Sequence, residues 1–182
     1  MAKHVLRYVK GTLDQSLIFK RSDNPLQLIS FCDGDWGNSA DRKSVTGYIF
    51  QLASDGPVIS WKSRKQQTVA LSTCKAEYMS MAAARSQICM VNDILFDQND
   101  KLFDQVTLFC NNKGAIALAK NPVLHQRSKH IDIKYHFIGS EVQKGVVKNV
   151  YVPSEQNVAD ILNKPLAKSK LQKFVSHLMG CQ

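Results

Sequence analysis

At 182 residues, with 44% hydrophobic and 21% charged side chains, the chain has the size and composition of one packed domain rather than of a disordered polymer. Its 24 Lys and Arg against 15 Asp and Glu leave a net charge of +9. That excess favours a polyanionic partner, nucleic acid before an anionic membrane surface, with a merely solvated basic surface as the plainer alternative. No apolar run approaches a membrane span and no signal-peptide pattern opens the chain, so it reads as soluble and not secreted.

In chain order, "MAKHVLRYVKGT" sets Val5, Tyr8 and Val9 against Lys3, Arg7 and Lys10, a short amphipathic basic helix ended by Gly11. "SLIFKRSDNP" reads as a strand followed by a turn at Asp23-Asn24-Pro25. "LQLISFCDGDW" alternates, with Ile29, Phe31 and Asp33 on one face, and "SVTGYIFQLA" is rich in β-branched and aromatic residues. "GPVISWKS" follows across Ser54-Asp55-Gly56, a hairpin signal. A long helix is expected from near Ser72 into the 90s, then a strand over 106–110 and a helix over roughly 112–120. "HQRSKHIDIKYHFIGSEVQKG" begins as a basic loop and becomes a helix stopped by Gly145, and "VVKNVYVP" is a fifth strand. Ser154 is placed to cap a short helix holding Val158, Ala159 and Ile161, and an amphipathic tail runs from Lys168 to Met179. This order predicts an α/β fold, a mixed sheet with helices packed on it.

Five cysteines, Cys32, Cys74, Cys89, Cys110 and Cys181, form no CxxC pair, and Cys32, Cys89 and Cys110 sit in apolar surroundings as small core residues. A reducing intracellular compartment suits them better than a disulfide framework.

Four polar residues fall where elements begin or end. They are Asp33 at the close of the first long strand, Glu77 one turn into the long helix, Asn111 after the fourth strand, and Asp160 in the short helix. Each alone has an ordinary structural reading. Together, if the first and fourth strands are neighbours, they converge as three carboxylates and an amide, a depleted version of an oxygen-ligand site for Mg²⁺ or Mn²⁺.

"FCDGDWG", "DRKSVTGYIF", "ISWKSRKQQTVALSTCKAEY", "LFCNNKGAIALAKNP", "RSKHIDIKYHFI" and "YVPSEQNVADILNKPL" together resemble the ribonuclease H region at the C-terminal end of copia-type LTR-retrotransposon Pol polyproteins. The resemblance is colinear over nearly the whole chain. It implies a ribonuclease H-like fold with a five-stranded mixed sheet flanked by helices. The implied boundaries are residues 1–24 as the tail of a reverse transcriptase connection segment, 25–166 as the ribonuclease H-like domain, and 167–182 as a C-terminal helix. The implied activity is two-metal hydrolysis of the RNA strand of an RNA/DNA hybrid, with two Mg²⁺ or Mn²⁺ ions held by four acids. Three of these match Asp33, Glu77 and Asp160. The third aspartate of the family's pattern is replaced by Asn111 in "CNN", and Asn163 stands where a threonine is usual.

The resemblance also implies partners, an RNA/DNA hybrid and the reverse transcriptase domain of the same polyprotein, no membrane, and an intracellular location, in a cytoplasmic virus-like particle or the nucleus. Phosphate contacts are expected from Lys62, Arg64 and Lys65, and from a second basic loop of His125, Arg127, Lys129 and His130. A third cluster, Lys164, Lys168, Lys170 and Lys173, reads as a solvated face. Trp36, Trp61, Tyr48 and Tyr135 have the option of stacking on bases, but core packing is the commoner role. Two readings of function stand side by side: a nuclease weakened by Asn111, or an inactive module that binds hybrid or serves a reverse transcriptase structurally. A host-adopted remnant is the third.

Overall fold

The computed structural model describes residues 2–21, 26–37, 41–95, 105–120 and 146–180. Five strands, β1 (Ile29–Asp35), β2 (Val45–Gln51), β3 (Val58–Lys65), β4 (Val106–Cys110) and β5 (Val147–Tyr151), form one sheet in the order β3-β2-β1-β4-β5. The first three make an antiparallel meander, whereas β4 runs parallel to β1 and β5 parallel to β4. The helices are α1 (Ala2–Lys10), α2 (Thr73–Leu95), α3 (Lys113–Lys120) and α4 (Lys168–Met179), with a 3-10 helix at Val158–Leu162.

Alternation in the central strands sorts side chains to two covered faces. Cys32, Tyr48, Phe50 and Leu108 pack with Met81 and Ile88 of α2. On the other face, Ile49 packs with Val158 and, from α4, Phe174 and Leu178, while Phe31 leans against that cluster. A strand with both faces covered is buried nearly throughout, as β1 is. The Ser72 hydroxyl accepts a hydrogen bond from the Lys75 N–H at 3.2 Å and so caps α2. Where α2 passes β1 there is no space for a side chain: a Cβ on Gly34 would stand 2.5 Å from the Ala76 carbonyl oxygen and 2.7 Å from the Glu77 nitrogen.

Two expectations are corrected. Residues 16–21 pair with no strand among the described residues. Leu17, Ile18 and Phe19 are all exposed, so the segment buries no apolar face, and the Ile18 N–H instead donates to the Met179 carbonyl at 2.8 Å. The short helix is not capped by Ser154. Its cap is the fully buried Asn157, whose Oδ1 accepts from Ala159 N–H and whose Nδ2 donates to the Cys32 carbonyl at 2.9 Å. That second bond staples the 3-10 helix to β1. The expected N-terminal helix is present as α1, with every residue exposed. The turn at residues 23–25, the helix following the second basic loop, the Cys89 side chain and Cys181 lie outside the described residues.

Candidate functional site

β1 carries Asp33 on the face covered by the 3-10 helix, opposite Gly47 of β2. A Cβ on Gly47 would stand 3.0 Å from Leu162 Cβ and 3.1 Å from the Ala159 carbonyl, so glycine there lets the 3-10 helix lie close above Asp33. Asp33 is fully buried and accepts four contacts. Asn111 Nδ2 donates to Oδ1 at 3.0 Å, Asn163 Nδ2 to Oδ2 at 2.7 Å, and the Lys164 ammonium reaches Oδ1 at 2.9 Å and Oδ2 at 2.8 Å. Asp160, 3% exposed, takes Lys164 on Oδ1 at 2.8 Å and Lys170 on Oδ2 at 2.9 Å.

Glu77 reaches the cluster from the other side of the sheet. Its Oε2 accepts the Gly34 N–H at 3.0 Å, and the Cys110 thiol stands 3.9 Å away. Burial, and then the charge of Asp33, push its carboxyl up to about 10, so it is protonated at neutral pH in this arrangement. Burial also raises Asp33, against the pull of Lys164. Asp160 lies below its ordinary range because, although burial opposes it, hydrogen bonds from Lys164 and Lys170 prevail. The same two carboxylates hold the Lys164 ammonium above its ordinary range despite burial.

Asn111 leaves β4 with both amide hydrogens engaged, one on Asp33 and one on the Ser154 hydroxyl at 3.2 Å. Its Oδ1 is buried and has no hydrogen-bond partner. The structure thus gathers Asp33, Asn111 and Asp160 around one set of contacts, with Glu77 adjoining through Gly34. Among the described residues no three His, Cys, Asp or Glu side chains form a group that could hold a metal ion. Asp33 has both its oxygens committed to Asn111, Asn163 and Lys164. In kind, the donors fit Mg²⁺ or Mn²⁺: three carboxyls and an orphaned amide oxygen are hard ligands. The place between Asp33 and Asp160 is held by an ammonium.

The third basic cluster is therefore corrected in part. Lys168 and Lys173 are exposed, as a solvated face requires, but Lys164 and Lys170 turn inward onto the acids. The available signal was the spacing of Asp160 and Lys164, four residues apart as in a helical ion pair. Lys62 and Arg64 of β3 line an open groove of about 270 Å³ beside α2, with Thr46, Tyr48 and Gln66. Through the strand register they share the α2 face, opposite to that of Asp33, so they do not join the acidic cluster. Lys65 pairs at 3.0 Å with Asp41, both about half exposed. His125, Arg127, Lys129 and His130 lie outside the described residues, as does Tyr135. Tyr48 is core, whereas Trp36 and Trp61 are exposed, and the Trp36 indole N–H is tied to the Ala70 carbonyl at 2.8 Å.

The strand order and helix placement are those of the ribonuclease H fold. Over 81% of its length the chain matches the N-terminal RNase H domain of a Mycobacterium tuberculosis protein solved as a fusion with maltose-binding protein, with a TM-score of 0.53, 14% identity and 98% of that chain covered. It matches the foamy viral protease-reverse transcriptase in complex with RNA/DNA hybrid over 80% of its length and 22% of that chain, with a TM-score of 0.55 and 16% identity. Likeness at such identities is a likeness of fold. In sequence the chain is 38% identical over 177 residues, 97% of its length, to the retrovirus-related Pol polyprotein from transposon RE1 of Arabidopsis thaliana. It is 35% identical over 171 residues, 93% of its length, to the corresponding polyprotein from transposon TNT 1-94 of Nicotiana tabacum. No protein-family model matches. The homologues of the chain are copia-type retrotransposon Pol polyproteins, and with its ribonuclease H-like fold it spans about 12% of the length of these curated relatives. No described helix is long and apolar enough to cross a membrane.

Proposed function

We propose that the chain is a disarmed ribonuclease H domain, one that holds RNA/DNA hybrid beside a reverse transcriptase domain of the same polyprotein and cleaves the RNA strand weakly or not at all. The observation that carries this reading is Asn111. Beside Asp33 it supplies an amide that donates a hydrogen bond, where a nuclease of this type requires a carboxylate that accepts a cation. Two divalent ions, when bound, would activate water and stabilise the leaving oxygen of an in-line displacement.

The chain's own share is to offer Asp33 from β1, Glu77 from α2 and Asp160 from the 3-10 helix, at most three negative charges against four positive. Asn111 adds only a neutral oxygen. A loss of about 4 kcal/mol in transition-state stabilisation slows cleavage roughly a thousandfold.

The test is cleavage of a labelled RNA/DNA hybrid in Mg²⁺ and then Mn²⁺ by the chain and by Asn111→Asp. The expected result is little or no cutting by the first and a gain of about a thousandfold in the second. Comparable cutting by both overturns the reading, since another oxygen donor would then complete the site. The binding-only alternative draws on Lys164 and Lys170, which neutralise Asp33 and Asp160 without any ion. It predicts a folded Asn111→Asp variant that still does not cut.

A further inference from the structure

The acidic cluster contains its own cation. Lys164 Nζ lies 2.9 and 2.8 Å from the oxygens of Asp33 and 2.8 Å from Asp160 Oδ1. The two carboxylate side chains are 0% and 4% exposed, while that of the lysine is 31% exposed. A positive charge within hydrogen-bond distance of two buried carboxylates stands where an ion shared by them would stand. Lys170 takes the remaining oxygen of Asp160, so these four groups carry two negative and two positive charges and need nothing from solution.

We propose that Lys164 is a tethered competitor for divalent cations at Asp33 and Asp160, so that an ion enters only as the lysine swings outward. The proposal rests on the reading of these acids as a metal site.

Three features support it. The tether is short and fixed, because the Lys164 backbone N–H is bonded to the Asp160 carbonyl at 3.0 Å. A cation held on such a lead has a high effective concentration and need not bind tightly to compete. An exit exists, because an exposed part of the side chain marks a path to solvent along a flexible four-carbon stem. Asn111 completes the balance. It donates to Asp33 without adding charge, whereas an acid there would leave the cluster one positive charge short. Loss of the third acid and occupation by the lysine thus act in the same direction: both leave the resting site neutral.

The test uses the full chain and MnCl₂ alone. Binding is read by loss of the free Mn²⁺ electron paramagnetic resonance signal, and unfolding midpoints are taken in EDTA and in Mn²⁺. Lys164→Met, which keeps the length of the stem and removes the charge, is expected to bind Mn²⁺ at least tenfold more tightly than the unaltered chain. Its midpoint should fall in EDTA and recover in Mn²⁺. Equal or weaker binding by Lys164→Met overturns the proposal while leaving the metal-site reading intact. Mn²⁺ binding by neither protein overturns both.

Should Lys164→Met fail to fold, the unaltered chain still decides. In a Mg²⁺ titration followed by ¹⁵N NMR, the Lys164 ammonium resonance should move to a solvent-exposed position as the Gly34 amide shifts. An unmoved ammonium resonance, with or without a shift at Gly34, overturns the proposal.

Discussion

Gly34 shows how much of the site depends on one missing methyl group. Its N–H donates to Glu77 Oε2, and its Cα faces the backbone of α2 closely enough that any Cβ would overlap Ala76 and Glu77. Those neighbours are main-chain atoms, which cannot rotate away as a flexible side chain would. Gly34→Ala is therefore expected to push α2 off β1, lengthen the contact to Glu77 and destabilise the fold by about 1–3 kcal/mol. Urea denaturation checks the stability, and a change within error would show that α2 has more freedom than its contacts imply. Asn111 works at the same scale. Its two hydrogens are matched to Asp33 and Ser154, and its oxygen is the group left over.

Among the elements, α4 carries a pH dependence of its own. Phe174 and Leu178 anchor it, and the His177 ring stands perpendicular to that of Phe31 with 6.3 Å between centroids. Burial, and secondarily the charge of Lys173, hold the His177 imidazole below its ordinary value of 6.5. As pH falls, the unfolded chain takes up that proton before the folded one does. The stability owed to neutral His177 is therefore complete above about 6.5 and declines as pH drops toward the lowered folded value. Thermal unfolding of the unaltered chain should fall more steeply from pH 7 to pH 5 than that of His177→Gln, and parallel profiles would contradict the assignment. The elements themselves differ in how plainly the sequence announces them. The meander, α2 and the β4–α3 pair follow from alternation, a hairpin signal and apolar spacing, all local properties. The 3-10 helix with its Asn157 cap, the docking of Ile18 and the turn of Lys164 onto Asp33 are fixed by partners far away in the chain, namely Cys32, Met179 and Asp33. Local periodicity carries no trace of those partners. The acids at 33, 77 and 160 were legible because element ends are where such folds place them. Of the lysines that neutralise two of those acids, the four-residue spacing from Asp160 marks Lys164 alone; Lys170 and the reach of Lys164 to Asp33 left no such mark, because a surface cluster and a buried counter-ion have the same composition.

For the molecule as a whole, the net charge of +9 is not evenly spent. Lys164 and Lys170 are consumed internally, whereas Lys62 and Arg64 stay exposed along the groove beside α2. Binding of a fluorescent RNA/DNA hybrid across a salt series should therefore weaken linearly on logarithmic axes, and Lys62→Ala with Arg64→Ala should reduce that slope by about one unit each. Removing both without altering the slope would place the hybrid on another face.

The reach of the Lys164 contact has a consequence for how the protein is made. Lys164 and Asp33 are 131 positions apart. Synthesis runs from the N-terminus, so the β1–β2–β3 meander can leave the ribosome complete while the lysine that will neutralise its aspartate is not yet translated. For that interval Asp33 lacks the ammonium that reaches it among the described residues. Closure of the acidic cluster therefore waits until Lys164 has been made, however early the meander folds.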